Sequence, residues 1–398
     1  MIENIKQHEG INCTINTTEN CNLRCKYCYE INKSEKSIDI DYCYKFIDLL
    51  FSEKSLTDLV GDDTLKLDEG IVIDFIGGDS LINPDLLDKV LSYFNYKFIM
   101  SNKFKGYGWR ASISSNGTLF ERKDVRDFCE KWKSNLHLGV SIDGCPEIHD
   151  MNRVFPDGSG SMSKIMKWWP WYQETFPIAS MSTKATCSRN TIPYLYDSLK
   201  FMHEELGIRY INQNFIMEDT GCTEEDYKEL DRQLEKCCEY VLNHSHEMYW
   251  SMIDPYIYKP KNPKNDPDFY SKGRCGSGCM PTLSIDGKIY PCFRWLPHTQ
   301  KEAGIMCVGD VENGFYNKQN FANVAKGAVR CNCTKDPKCL DCEYESACAY
   351  CIGGCYAEYG EFRRTTYICE ITKLQAKWAQ IYKEKFEDQK RRMYDIVK

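Results

Sequence analysis

From residue 11 to about residue 250 the chain repeats one pattern: a short apolar run, a small polar loop, then a longer stretch with apolar positions three and four apart. The short runs predict strands at Ile11–Thr17, Ile71–Ile76, Arg110–Ser115, Leu136–Ile142, Ile178–Thr186 and Arg209–Phe215. Between them the 3.6-residue period predicts helices such as Asp39–Phe51, Pro84–Phe98, Arg122–Trp132, Ile192–Glu205 and Thr223–His244. Strand–helix repeats of this kind predict an α/β fold with a parallel sheet and outer helices, doubly wound or curled into a partial barrel. The chemistry of such folds sits on loops at the carboxyl ends of the strands. The notable sequences fall there: the cysteine loop TENCNLRCKYCYE after the first strand, GGDS (Gly77–Ser80) after the second, SNGT (Ser115–Thr118) after the third and DGCPEIHDMNR (Asp143–Arg153) after the fourth.

Composition narrows the chemistry. Net charge is −7, with no long basic run, which argues against a nucleic-acid partner. The start MIENIKQHEG has no apolar stretch of signal-peptide length, and no segment approaches the ~18 apolar residues of a membrane span. These features predict a cytoplasmic protein that neither spans nor binds a membrane. In a reducing compartment, 23 cysteines point to metal rather than disulfides. Cys21, Cys25 and Cys28 are spaced C-x3-C-x2-C, which suits three irons of a [4Fe–4S] cube and leaves the fourth iron without a protein ligand. A second crowd runs from Cys275 to Cys369. Its C-x2-C knuckles taken alone suit zinc as well as iron. Scattered cysteines such as Cys43, Cys129, Cys237 and Cys238 read as small buried apolar residues.

Together these loops resemble the radical S-adenosylmethionine enzymes, and among them those with a C-terminal SPASM domain. The resemblance implies a partial (β/α)6 TIM barrel over residues 1–255, a small Cys-rich SPASM domain over 256–372 and a closing helix over 373–398. It assigns the Cys21, Cys25 and Cys28 cluster to the amino and carboxylate groups of S-adenosylmethionine. The loop Gly77-Gly78-Asp79, usually GGE in the family, would meet the methionine amino group, and Asn116 would lie near the cofactor. Ser141 would contact the ribose, Arg153 the methionine carboxylate and Tyr27 the adenine. The implied chemistry is reductive cleavage of the cofactor to a 5′-deoxyadenosyl radical that abstracts hydrogen from carbon.

The C-terminal cysteines resemble the SPASM pattern, through Gly287 to Cys292 as G-x4-C, Cys339-x2-Cys342-x5-Cys348, and Cys351-Ile-Gly-Gly-Cys355. One auxiliary [4Fe–4S] cluster would use Cys275 or Cys279 or both, with Cys292 and Cys355. A second would use Cys339, Cys342, Cys348 or Cys351, and Cys369, giving three clusters in all. Cys331 and Cys333 fall outside the pattern. In anaerobic sulfatase maturases a catalytic aspartate directly follows the G-x4-C cysteine; here that residue is Phe293. The resemblance therefore favours a maturase of the sactipeptide and ranthipeptide type, acting on Cys-rich, CXXX-repeat peptides to form thioethers. Carbon–carbon or carbon–oxygen cross-linking, sulfatase-type oxidation, and a non-catalytic iron–sulfur electron carrier are the rival readings. Only twenty residues precede Cys21, so a leader would be bound elsewhere on this chain, by a separate leader-binding protein, or not be needed; the resemblance implies a ferredoxin or flavodoxin as reductant.

Overall fold

The computed structural model describes residues 11–52, 71–101, 108–258, 280–317, 320, 324, 339, 342–344, 347–348, 351–362 and 367–397. The chain forms two compact units, each drawn from separated stretches. The first comprises Met1–Asn22, Tyr29–Leu138 and Gly273–Val329; the second comprises Leu23–Cys28, Gly139–Lys272 and Arg330–Lys398. The division falls inside the cysteine loop, between Asn22 and Leu23.

In the first unit, β1 (Ile11–Thr18), β2 (Ile71–Gly77) and β3 (Trp109–Ser115) run parallel in chain order. Helices α1 (Ile40–Phe51) and α2 (Pro84–Met100) connect them, and α3 (Lys123–Trp132) follows β3. Cys13 and Ile15, Ile73 and Phe75, Ala111 and Ile113 alternate along the strands and are fully buried. The helices bury matching stripes, Phe46, Ile47 and Leu50 on α1 and Leu87, Val90, Leu91 and Phe94 on α2, at three- and four-residue spacing. Each such side chain contributes about 1.5–3 kcal/mol of burial. On its other edge β1 pairs in parallel with β8 (Thr282–Leu283), which continues antiparallel through β9 (Lys288–Tyr290), β10 (Gly309–Asp310) and β11 (Gly314–Phe315). Gly287, the glycine of the G-x4-C pattern, makes the β8–β9 turn at φ +79°, a left-handed conformation that favours glycine.

In the second unit the end of β4 (Leu136–Ser141) pairs in parallel with β5 (Ser182–Cys187), β5 with β6 (Tyr210–Phe215), and β6 with the short β7 (Tyr249–Trp250). The connecting helices are α4 (Pro146–Asn152), α5 (Met162–Thr175), α6 (Leu195–Glu204) and α7 (Glu224–Asn243). The expected strand from Ile178 starts late, because Ala179–Met181 forms a 3-10 turn and Ile178 is exposed. The helix expected from Ile192 starts at Leu195, since Arg189–Tyr194, which contains Pro193, is a 3-10 segment. α8 (Ile352–Tyr359) and α9 (Cys369–Val397) complete the unit. α9 begins four residues earlier than expected and docks on α7, where Asp231 accepts from Lys377 Nζ at 2.7 Å and Trp378 Nε1 at 2.6 Å. Cys43, Cys129, Cys237 and Cys238 are buried, and burial pushes the Cys43 and Cys129 thiols up to about 12. Among the described residues no helix is long and apolar enough to cross a membrane.

Candidate functional site

The first unit carries the loops that follow β1, β2 and β3. Gly77 and Gly78 let the end of β2 lie directly on the chain entering the cysteine loop. Gly78 N–H donates to Thr18 O and Asp79 N–H to Asn20 O, both at 3.0 Å. A Cβ on Gly78 would stand 1.9 Å from Asn20 O and 2.8 Å from Cys21 Cβ; on Gly77, at φ +129°, it would stand 2.0 Å from Thr18 O. We therefore expect Gly78→Ala to shift the Cys21 turn, with several-fold lower iron loading at near-normal helix content, measurable by iron assay and circular dichroism.

Asp79 is 1% exposed and turned inward. Its carboxylate accepts from Asn116 N–H at 2.9 Å, Ser115 Oγ at 2.9 Å and Leu81 N–H at 3.1 Å. Burial pushes its pKa up, against these hydrogen bonds. Asp79 thus brackets the SNGT loop to the GGD loop. The bracket aims Asn116, whose Oδ1 accepts from Thr118 N–H at 2.9 Å and whose Nδ2 donates to Asn22 Oδ1 at 2.9 Å. The same Nδ2 lies 3.9 Å from Cys21 Sγ, an N–H···S approach of the kind that tunes iron-bound thiolates. Cys21 with that donor fits a cluster ligand.

The second unit holds the rest of the loop. Arg24 N–H donates to Val154 O at 2.7 Å, Lys26 N–H to Asn152 O at 3.0 Å, and Cys28 N–H to Cys25 O at 3.1 Å. These bonds lay Cys25 and Cys28 along the segment after β4. At its centre is Asp143, 2% exposed, which sequence reasoning had included only as the first residue of a motif. Arg153 Nε and Nη2 donate to its two oxygens at 3.0 and 3.1 Å, Thr186 N–H donates at 2.9 Å, and the Tyr27 hydroxyl donates to Oδ2. The Arg153 guanidinium also lies over the Tyr27 ring, 5.4 Å from its centroid. Burial opposes the Arg153 charge, but Asp143 raises its pKa further; burial pushes the Tyr27 hydroxyl well above the usual range. The fork expected to take a cofactor carboxylate is thus already engaged by an internal one. Ser141 lies at the carboxyl end of β4, opposite Lys184.

His149 supports this group from α4. Its Nδ1 accepts from Asp143 N–H at 3.3 Å, and Ser161 Oγ, 3.1 Å from Nε2, itself donates to Arg153 O at 2.7 Å. The network assigns the proton to Nε2, and burial lowers the pKa to about 4, so the ring is neutral. A cavity of about 220 Å³ opens at the carboxyl ends of β5 and β6, lined in part by Cys187, Arg189, Phe215, Cys222, Tyr227 and Tyr367.

Of the C-terminal cysteines, the second unit brings Cys339, Cys342 and Cys369 together: burial, then the charges of Cys339 and Cys342, raise the Cys369 pKa. Cys351 caps α8, with Gly354 N–H 3.4 Å from its sulfur, and shares a small recess with Cys355. Cys348 lies near Tyr258, its backbone N–H bonded to Tyr344 O. Cys292 belongs to the first unit and is 6% exposed. Cys275, Cys279, Cys331 and Cys333 lie outside the described residues. Among the described residues no three His, Cys, Asp or Glu side chains already converge at metal-binding geometry.

Sequence reasoning missed one further group in the first unit. His298 is 3% exposed, with Nδ1 3.7 Å from Glu19 Oε1 and Nε2 3.7 Å from Glu30 Oε1. Glu30 is buried too, and against that burial His298 and Lys33 hold its carboxyl below the usual range. Phe293, on the same segment, packs on Tyr29 with ring centroids 6.1 Å apart.

Residues 7–164 match the 4Fe-4S single cluster domain family. An uncharacterized protein of Methanocaldococcus jannaschii is 30% identical over 47% of this chain and 57% of its own length. A cysteine-type anaerobic sulfatase-maturating enzyme of Clostridium novyi is 23% identical over 83% of this chain and 84% of its own. The subtilosin biosynthesis protein AlbA of Bacillus subtilis is 26% identical over 39% of this chain and 29% of its own. Among solved structures, anSMEcpe with bound AdoMet and a peptide superposes with a TM-score of 0.66 at 15% identity, covering 95% of this chain and 99% of that one. Streptococcus suis SuiB bound to its precursor peptide SuiA gives 0.58 at 16%, covering 90% and 75%. The superpositions establish the partial-barrel α/β fold, and in sequence the chain is similar to anaerobic sulfatase-maturating enzymes and to a subtilosin biosynthesis protein.

Proposed function

We propose that the chain modifies a ribosomally made, Cys-rich precursor peptide, closing thioether links between cysteine sulfur and carbon. What supports a peptide substrate is the likeness to SuiB, solved with its precursor peptide, and to the subtilosin biosynthesis protein AlbA; β1 adds a row of unpaired polar groups opposite its apolar side. Asn12, Thr14 and Asn16 alternate along it, and Thr14 and Asn16 are fully buried. Among the described residues, Asn12 Oδ1, Thr14 Oγ1 and both amide atoms of Asn16 have no hydrogen-bond partner. The register continues this polar row through Thr282 on one side and Asp74 and Ser112 on the other. Each such buried group costs about 1–3 kcal/mol when unpaired, so the row calls for a polar partner, water or ligand. Asn16 ends the row beside Gly77, five residues before Cys21.

When bound, the cluster and S-adenosylmethionine supply the radical that takes a hydrogen atom from the peptide. The chain's own residues position both: Asn116 at Cys21, the Asp143 group along Cys25–Cys28, and the polar face of β1 for the peptide. Closing a thioether removes two hydrogens overall, one as that atom and one as the thiol proton with an electron. Cys339, Cys342 and Cys369, near enough for the first two to raise the pKa of the third, would hold the auxiliary cluster that this reading requires as electron acceptor. A ferredoxin or flavodoxin reductant belongs to the same proposal.

The long alignment with the Clostridium novyi enzyme favours a second reading, oxidation of a cysteine to an aldehyde. Phe293 speaks against it, since a phenyl ring against Tyr29 accepts no proton. Mass spectrometry of a Cys-rich peptide incubated with the reconstituted enzyme separates the two. Thioether closure removes two hydrogens and keeps every sulfur, whereas aldehyde formation expels sulfur. Alkylating the peptide's cysteines is expected to abolish modification; modification that survives alkylation would establish carbon–carbon or carbon–oxygen cross-linking instead.

A further inference from the structure

His298 is the least explained buried side chain of the first unit. Both ring nitrogens lack a hydrogen-bond partner among the described residues, yet each faces a carboxylate at 3.7 Å. That separation exceeds a hydrogen bond, so each ring nitrogen stands in close polar contact with a carboxylate, shielded from solvent by burial. The two carboxylates are separated in the chain by the whole cysteine loop: Glu19 stands two residues before Cys21 and Glu30 two residues after Cys28. Each is held on its far side as well. The second oxygen of Glu19 accepts from Ser34 Oγ at 2.5 Å, and that of Glu30 binds Lys33 Nζ at 2.9 Å. Asn32 N–H donates to the His298 carbonyl at 3.3 Å, so the segment after the loop meets both the ring and the backbone of this residue.

We propose that His298 is a positioning residue that clamps both flanks of the cysteine loop with one imidazole. The clamp comes from the segment that follows Cys292, whose first turn also places Arg294 over the Tyr29 ring at 4.4 Å. A loop that must present three thiolates to one cube depends on fixed ends, because any spread at the flanks becomes misplacement of the sulfurs. Because the clamp is drawn from the segment that follows Cys292, disturbance of that segment reaches the flanks of the cysteine loop. This inference rests on the loop's reading as a cluster loop, but its central test does not.

Hydrogen–deuterium exchange of the metal-free chain is compared for the parent, His298→Leu, His298→Gln and Glu19→Gln. The clamp predicts at least tenfold faster exchange of residues 19–34 in His298→Leu, a smaller rise in His298→Gln, and in Glu19→Gln a rise confined to the flank before Cys21. Unchanged exchange in this segment, or a rise spread evenly over the first unit, would overturn the proposal. If His298→Leu does not fold, the two glutamine variants decide. In the iron-loaded protein, S-adenosylmethionine should alter the electron paramagnetic resonance signal of the reduced parent and do so at about tenfold higher concentration in His298→Gln. An equal response in both would contradict the clamp. A parent that takes up no iron would overturn the radical-enzyme reading, while the exchange data would still settle the clamp.

Discussion

Changing Cys21, Cys25 and Cys28 together to alanine is expected to remove about four irons per chain and to abolish S-adenosylmethionine cleavage, leaving the C-terminal cysteines loaded. The reason is local. Cys21 is 7% exposed and receives the Asn116 amide, while Cys25 and Cys28 lie on a strip whose backbone is hydrogen-bonded to residues 152 and 154. The backbone contacts do not need the thiols and the long Asn116–Cys21 sulfur approach is the one lost, so the fold should persist with a melting temperature only slightly lowered for the metal-free chain. Iron analysis and anaerobic product assays read the two effects separately. Full iron content in the triple variant would show that this loop holds no cluster.

The second large effect is expected at Asp143. Asp143→Ala leaves the buried Arg153 guanidinium and the Tyr27 hydroxyl without their shared acceptor, a loss of about 3–5 kcal/mol by the cost of an orphaned buried charge. Denaturant titration should show it as a lowered midpoint. Asp143→Asn keeps the shape and one acceptor oxygen and should fall between parent and alanine variant. Because Tyr27 sits between Cys25 and Cys28, loosening it should also weaken cofactor binding. An alanine variant as stable as the parent would mean that Arg153 finds another partner, and the assignment of Asp143 as the organising residue would fail.

Much of this was legible in the sequence because it depends on local pattern. The alternation of Cys13, Ile15, Ile73, Phe75, Ala111 and Ile113 identified strands with one buried face, and the loops at their carboxyl ends are where the structure places the GGD, SNG and cysteine motifs. The misjudged strand at Ile178 shows the limit of that pattern, since an apolar residue before Ala179–Met181 is also compatible with an exposed turn. Asp143 and the Glu19–His298–Glu30 group were not legible for a different reason. A lone carboxylate or histidine reads as solvated until its neighbours are known, and His298 lies more than 260 residues from Glu30 in the chain. The position of Asp143 directly after a strand, ten residues before an arginine, was the one available signal for it.

The most direct test of the account is an anaerobic turnover assay. The chain is reconstituted with iron and sulfide, reduced with dithionite and given S-adenosylmethionine, with the triple-alanine variant beside it, and 5′-deoxyadenosine is measured by mass spectrometry. Product is expected from the parent and none from the variant. Absence of product from a parent holding its full complement of iron would contradict the radical-enzyme reading and would make the cysteine loop a site of electron transfer instead.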